Sequence, residues 1–154
     1  MGTAKSFRDL KVYQAAREAA RLVLDESKSF PREERFSLTD QIRRSSRAIK
    51  AMIAEGWARR RYKAAFVNKI DEALGEAYET RSWLDDAIDA AYISQEDFDD
   101  LDRRYDAIGM LSRMIDRADD FCRYPSKTDF RSIAREGEDE WPFTDHRSLI
   151  TDHR

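Results

Sequence analysis

The sequence predicts an all-α protein: an antiparallel up-down-up-down four-helix bundle with an irregular C-terminal tail. Three observations predict it. Apolar residues recur at spacings of three and four along four long segments, the period of a helix with one buried stripe. Only five Gly and three Pro stand in 154 residues, too few for the many turns of an all-β fold. The joints between segments are short, which forces neighbours to run antiparallel. The bundle is expected over residues 6–123 and the tail over 124–154.

The first helix is expected from about Phe7 to Ser29, with Leu10, Val12, Tyr13, Ala16, Ala19, Ala20, Val23 and Leu24 along one stripe. Phe30-Pro31 stops it, because proline disfavours helical geometry in the residue before it. The second is expected from about Arg32 to Arg59, on the seam Leu38, Ile42, Ser45, Ile49, Met52, Gly56. Alternating steps of four and three suit a nearly parallel helix pair, and Gly56 suits a left-handed C-cap. The third, about Tyr62 to Ala91, repeats at Phe66, Ile70, Ala73, Ala77, Thr80, Leu84, Ile88 and Ala91. Its alanines let neighbouring helices approach closely. The fourth begins after Ser94, an N-cap followed by Glu96 and Asp97, whose charges favour a helix N-terminus. It is expected to run to about Arg123.

No apolar run approaches the roughly 20 residues of a membrane span, and the opening six residues lack the apolar centre of a signal peptide, so the chain is expected to be cytoplasmic. Cys122, the only cysteine, allows no internal disulfide or multi-thiolate metal site and reads as a structural thiol. Beyond Tyr124 the helical period fails. The tail carries an acidic run, Glu136 to Glu140, then Trp141-Pro142-Phe143, and is expected to be either a partly docked arm, the favoured reading, or a free, disordered tail. It also repeats Thr144-Asp145-His146-Arg147 as Thr151-Asp152-His153-Arg154, a pair read as chance or duplication rather than a metal site.

Net charge is −3, but residues 31–70 hold eleven basic side chains against four acidic, and residues 71–106 hold three against thirteen. The chain is therefore dipolar, with local charges of +7 and −10.

Six words in order resemble one family. They are Phe7-Arg8-Asp9-Leu10-Lys11-Val12-Tyr13-Gln14-Ala15-Ala16, then Phe30-Pro31, then Leu38-Thr39-Asp40-Gln41-Ile42-Arg43-Arg44-Ser45-Ser46. Ile53-Ala54-Glu55-Gly56, Glu76-Ala77-Tyr78-Glu79-Thr80-Arg81-Ser82-Trp83-Leu84 and Tyr92-Ile93-Ser94 follow. Over about residues 6–122 the chain is similar to the four-helix-bundle proteins encoded in intervening sequences of bacterial 23S ribosomal RNA genes. It departs from their common pattern at Lys50, Ala51-Met52 and Ala58. The resemblance implies a homopentameric ring without enzymatic activity or cofactor. A related branch, the accessory proteins of diversity-generating retroelements, forms a basic barrel that binds reverse transcriptase and nucleic acid, so RNA or DNA, a reverse transcriptase, or another protein are the partners it implies.

Two charged surfaces are candidates for function. Arg43, Arg47 and Lys50 share one flank of the second helix with Arg44 beyond them, and the next joint adds Arg59, Arg60, Arg61 and Lys63 around Trp57 and Tyr62. Guanidinium groups fork onto phosphates and aromatics stack on unpaired bases, so these eight are candidate nucleic-acid-binding residues. The pattern also suits a protein contact or an ordinary solvated face, and the residues alone leave these readings open. Asp85, Asp86 and Asp89 at the end of the third helix, with Asp99, Asp102 and Asp106 along the fourth, are candidate protein-interface residues that could meet a neighbour's basic stripe. No phosphate loop, nucleophile elbow or metal-spaced cluster occurs. Glu55, Glu76 and Glu79 read as caps or partners of Arg43 and Arg44, and Tyr78 and Trp83 as core or interface residues. Neither a catalytic residue nor a metal site is expected.

Overall fold

The computed structural model describes residues 4–122; the tail, with its acidic run, its aromatic word and its paired Thr-Asp-His-Arg words, lies outside the described residues. Five α-helices follow in order: α1 Lys11–Ser27, α2 Leu38–Ala58, α3 Lys63–Asp89, α4 Gln95–Ile108 and α5 Leu111–Asp116. No β-strand occurs among the described residues. The four expected rods are present, the fourth split between α4 and α5.

Contacts between neighbours run in opposite order along the chain. Arg44 reaches Glu76 while Glu55 reaches Lys69, across α2 and α3. Arg81 reaches Asp102 in α4, and Lys63 reaches Asp119 just beyond α5. Near the other edge, Leu10 and Val12 share a groove with Met110 and Met114, whereas the far end of α1 brings Glu26 close enough to Asp97 for the charges to interact. The core between these rods holds Val23, Ile42, Ile49, Ile53, Phe66, Ile70, Leu84, Tyr105, Ile108 and Leu111, each less than 2% exposed. Fully buried Ala16, Ala19, Ala73 and Ala87 keep α1 and α3 close to their neighbours. At the centre of the α2–α3 contact, Thr80 Oγ1 lies 2.8 Å from Ser45 Oγ and 2.9 Å from the Glu76 carbonyl, so these buried hydroxyls are satisfied.

The helix ends differ from expectation in four places, each with a local cause. Residues Phe7–Asp9 form a separate 3₁₀ turn, because Ser6 and Asp9 close a capping box around it. Leu10 then adopts an extended backbone (φ −69°, ψ 125°), and α1 starts only at Lys11. The second helix does not begin at Arg32. Arg32–Glu34 is a single 3₁₀ turn, and the Glu34 carboxylate accepts from the Leu38 amide at 3.2 Å, capping α2 there.

Gly56 is not a left-handed C-cap. No described glycine has positive φ, and Gly56 lies buried inside α2. A Cβ there would sit 2.9 Å from Ile70 Cδ1, so its role is to let α3 pack against the α2 backbone. The left-handed residue is instead Ala91, φ 58°. Its amide donates to the Ile88 carbonyl at 3.0 Å and the Tyr92 amide to the Ala87 carbonyl at 2.9 Å, the double closure of a Schellman motif. Finally, the fourth rod breaks after Ile108. A side chain at Gly109 would place its Cβ 2.8 Å from the Asp106 carbonyl oxygen, and the chain turns there before α5 begins. Ser94 caps α4 as expected, accepting from the Asp97 amide at 3.1 Å.

Candidate nucleic-acid interface

Side chains four and seven residues apart share one helix flank, and on α2 this aligns Arg43, Arg47 and Lys50. Arg43 roots the stripe on α1, its Nε donating to Ser27 Oγ at 2.7 Å. That bond is to a neutral hydroxyl, so the charge of Arg43 stays uncompensated. Arg47 is exposed and Lys50 half-buried, and among the described residues neither makes a hydrogen bond or ion pair.

Arg44 has a different fate. One residue further on is 100° around the helix, which aims Arg44 at α3. It pairs there with Glu76 at 3.2 Å and also with Glu79. Donating to these two carboxylates raises its pKa above the ordinary value. Glu79 also accepts from Trp83 Nε1 at 3.2 Å. Glu55 is held by Lys69 at 3.2 Å, so the three inner carboxylates all serve helix pairing.

At the α2–α3 joint, Arg60 lies 3.9 Å above the Trp57 ring and donates to the Trp57 carbonyl at 2.7 Å. Arg61 stands 5.8 Å from the Tyr62 ring centroid. Arg59 is exposed at the C-cap. Lys63 is engaged, pairing with Asp119 at 3.0 Å. The eight candidate cations therefore divide: Arg44 and Lys63 are neutralised within the chain, while Arg43, Arg47, Lys50, Arg59, Arg60 and Arg61 form no ion pair among the described residues, Arg59 alone lying near enough to Glu72 to help lower its pKa.

The structure adds two residues to this surface. Phe36 is 85% exposed, and Arg35 lies 5.3 Å from its ring centroid. Both line an open cleft of about 490 Å³ with Thr39, Asp40, Arg43, Arg44 and Arg47. Phe36 stands off the seam that runs through Leu38 and Ile42, and that misfit is the sequence signal for an outward-facing aromatic. Tyr78 is also outward, 62% exposed rather than core, whereas Trp83 is half-buried.

The acidic candidates divide too. Asp85, Asp86 and Asp89 are exposed at the end of α3 and make no ion pair among the described residues. Asp99 accepts from Gln95 Nε2 at 2.9 Å. Asp102 and Asp106 both hold Arg81, at 2.8 and 3.0 Å, and tie α4 to α3. Because the rods are antiparallel, the end of α3 lies beside the starts of α2 and α4 and the end of α1. That pole gathers Glu26, Glu33, Glu34, Glu96 and Asp97 with the three aspartates. Burial first, then Asp97 and Asp25, push the Glu26 carboxyl above its ordinary pKa. The opposite pole carries Arg59, Arg60 and Arg61, so charge is polarised along the bundle axis as well as along the sequence.

Cys122 is half-buried, and its burial raises the thiol pKa, with Asp119 adding to the effect. No group of three His, Cys, Asp or Glu side chains suited to a metal ion occurs among the described residues. No described helix is long and apolar enough to cross a membrane.

Comparison with known proteins agrees with this architecture. The family model described as 23S rRNA-intervening sequence protein matches residues 8–115. A crystal structure of a protein of unknown function from the S23 ribosomal protein family of Bacteroides thetaiotaomicron VPI-5482 is similar, with a TM-score of 0.62 and 31% identity. The match covers 68% of this chain and 95% of that one. No curated protein matches the chain.

Proposed function

The chain belongs to the 23S rRNA-intervening sequence protein family, and from the surface this member exposes we propose that it is a non-catalytic, oligomeric accessory factor that holds single-stranded nucleic acid. One observation carries the reading. Arg44, Lys63 and Lys69 are neutralised by carboxylates at 3.0 to 3.2 Å, yet Arg47, Lys50, Arg59 and Arg61 form no ion pair among the described residues. Phosphates are the ligand that such uncompensated cations take up with release of counterions. The exposed Phe36 ring beside Arg35, Arg43 and Arg47 supports a single strand over a duplex, because a flat exposed aromatic stacks on an unpaired base.

The test is binding of an unstructured single-stranded RNA oligonucleotide across a salt series. Each phosphate contact contributes a slope of about −0.7 in log affinity against log salt. Replacing Arg47, Lys50, Arg59 and Arg61 together by Ala is expected to flatten the slope by about 3. The control, Lys28→Ala with Lys63→Ala, removes cations already paired with Asp25 and Asp119 and is expected to leave it nearly unchanged. Phe36→Ala is expected to weaken binding by about 1–3 kcal/mol with no change of slope, since stacking moves no counterions. Absence of binding at low salt, or equal slopes for both multiple variants, refutes the proposal.

A second reading has its own support. Asp85, Asp86 and Asp89 carry unpaired charge at one pole, and in a cyclic assembly they could face the cation stripe of the next copy. Exposed pairs contribute only about 0–1 kcal/mol each, so they would orient subunits that apolar contacts hold together. Light scattering of the wild-type protein and of the Asp85, Asp86, Asp89 triple Asn variant tests it. A mass that falls with the triple variant favours a subunit contact there, and an unchanged mass leaves the stripe available to nucleic acid.

A further inference from the structure

At the α5 end of the bundle the surface holds a groove of about 350 Å³. Its floor is Leu10, Val12, Met110, Met114 and Phe121, and its rim is Lys11, Arg113 and Arg117. Lys11 and Arg113 are exposed and make no ion pair among the described residues. Arg117 pairs only with Asp120, in its own turn, both groups more than half exposed. The groove lies beside the Gly109–Met110 turn that separates α4 from α5, with Met110 in its wall. An apolar trough edged by three cations selects an occupant with apolar side chains next to acidic ones.

We infer that the groove receives the chain's own segment Glu136–Phe143. That segment reads Glu-Gly-Glu-Asp-Glu-Trp-Pro-Phe: four carboxylates directly before two large aromatic rings held apart by a proline. The rings match the floor, and the carboxylates match the rim. The connection permits it, since the described chain ends at Cys122 and Phe121 already lines the groove. Trp141 stands nineteen residues after Cys122, a length that reaches up to about 65 Å when extended, far more than a return to the same end of the bundle requires. Loop closure over that length costs little more than over a shorter one, because the penalty grows only with the logarithm of length. The inference is independent of the nucleic-acid reading, which rests on the α2 stripe and the α2–α3 joint.

The experiment uses the full chain with Cys122→Ser, Met110→Cys and Thr144→Cys, and follows disulfide formation under mild oxidation by mass and by mobility. Docking raises the local concentration of the two thiols, so an intrachain disulfide is expected to form about tenfold faster than in a control carrying Tyr78→Cys in place of Met110→Cys. Adding Lys11→Glu and Arg113→Glu, both at exposed positions, is expected to remove most of that advantage. Further adding Glu138→Lys and Glu140→Lys is expected to restore it, which a simple loss of folding cannot do. Equal rates for the two cysteine pairs, a disulfide-linked dimer in place of the intrachain product, or charge reversal without rescue overturns the inference.

Discussion

Replacing Ala91 by glycine is expected to stabilise the bundle although it removes a methyl group. Ala91 holds φ at 58°, where an L side chain crowds its own carbonyl at a cost of about 1–2 kcal/mol. The residue is exposed, so the methyl contributes little burial in return. Glycine adopts that geometry freely but brings more unfolded-state freedom, which returns about 0.5–1 kcal/mol. The net gain is about 0.5–1 kcal/mol, or roughly 2–5 °C in Tm for a domain of this size. Ala90 is the internal control. Its φ of −81° and ψ of 0° are right-handed, so Ala90→Gly has only the entropic cost and is expected to destabilise by about 0.5–1 kcal/mol. Urea denaturation followed by far-ultraviolet circular dichroism measures both. Opposite signs at the two adjacent alanines support the reasoning; a destabilised Ala91→Gly, or two variants shifted alike, refutes it.

Further expectations follow from the core. A Cβ added at Gly75 in α3 would meet nothing within 4 Å, whereas one at Gly56 would meet Ile70 Cδ1 at 2.9 Å. Gly75→Ala is therefore expected to gain up to about 1 kcal/mol, and Gly56→Val to lose about 1–3 kcal/mol through overpacking, both read by the same urea titration. The Tyr105 hydroxyl is buried beside Ser46 without a hydrogen-bond partner of good geometry, and Ser46 donates its own proton to the Arg43 carbonyl at 3.1 Å. Tyr105→Phe is expected to be neutral or stabilising near pH 7. Burial raises the Tyr105 pKa far above its ordinary 10.0, so the folded state keeps a proton that the unfolded state releases. Stability is then expected to fall as pH rises above about 10, and the fall to be shallower in Tyr105→Phe, as measured by unfolding midpoints between neutral and alkaline pH.

The family words owe their legibility to packing. Phe30 lies 5.6 Å from Tyr92, and the Tyr92 hydroxyl donates to Glu34 at 3.1 Å, so the first and third joints are tied together. Ser45 meets Thr80, Gly56 meets Ile70, and Glu76 with Glu79 meets Arg44. Residues that make these contacts mark the fold and say little about a ligand. Phe36, by contrast, belongs to no such contact and to none of the six words, which is why the words do not point to it.

Four amphipathic rods, their antiparallel order and the Ser94 cap can be read from the chain alone, because helical period, joint length and capping are properties of neighbouring residues. Which charges are free cannot. Arg43 and Arg44 are adjacent in sequence and alike in chemistry, yet 100° of helix rotation sends one to a neutral hydroxyl on α1 and the other to two carboxylates on α3. Asp102 and Asp106 look available in the sequence for the same reason that Arg44 does, but α3 brings Arg81 between them. The ion pairs of Arg44 and Arg81 depend on residues 21 to 35 positions apart meeting at one height, and only the packed structure sets that height.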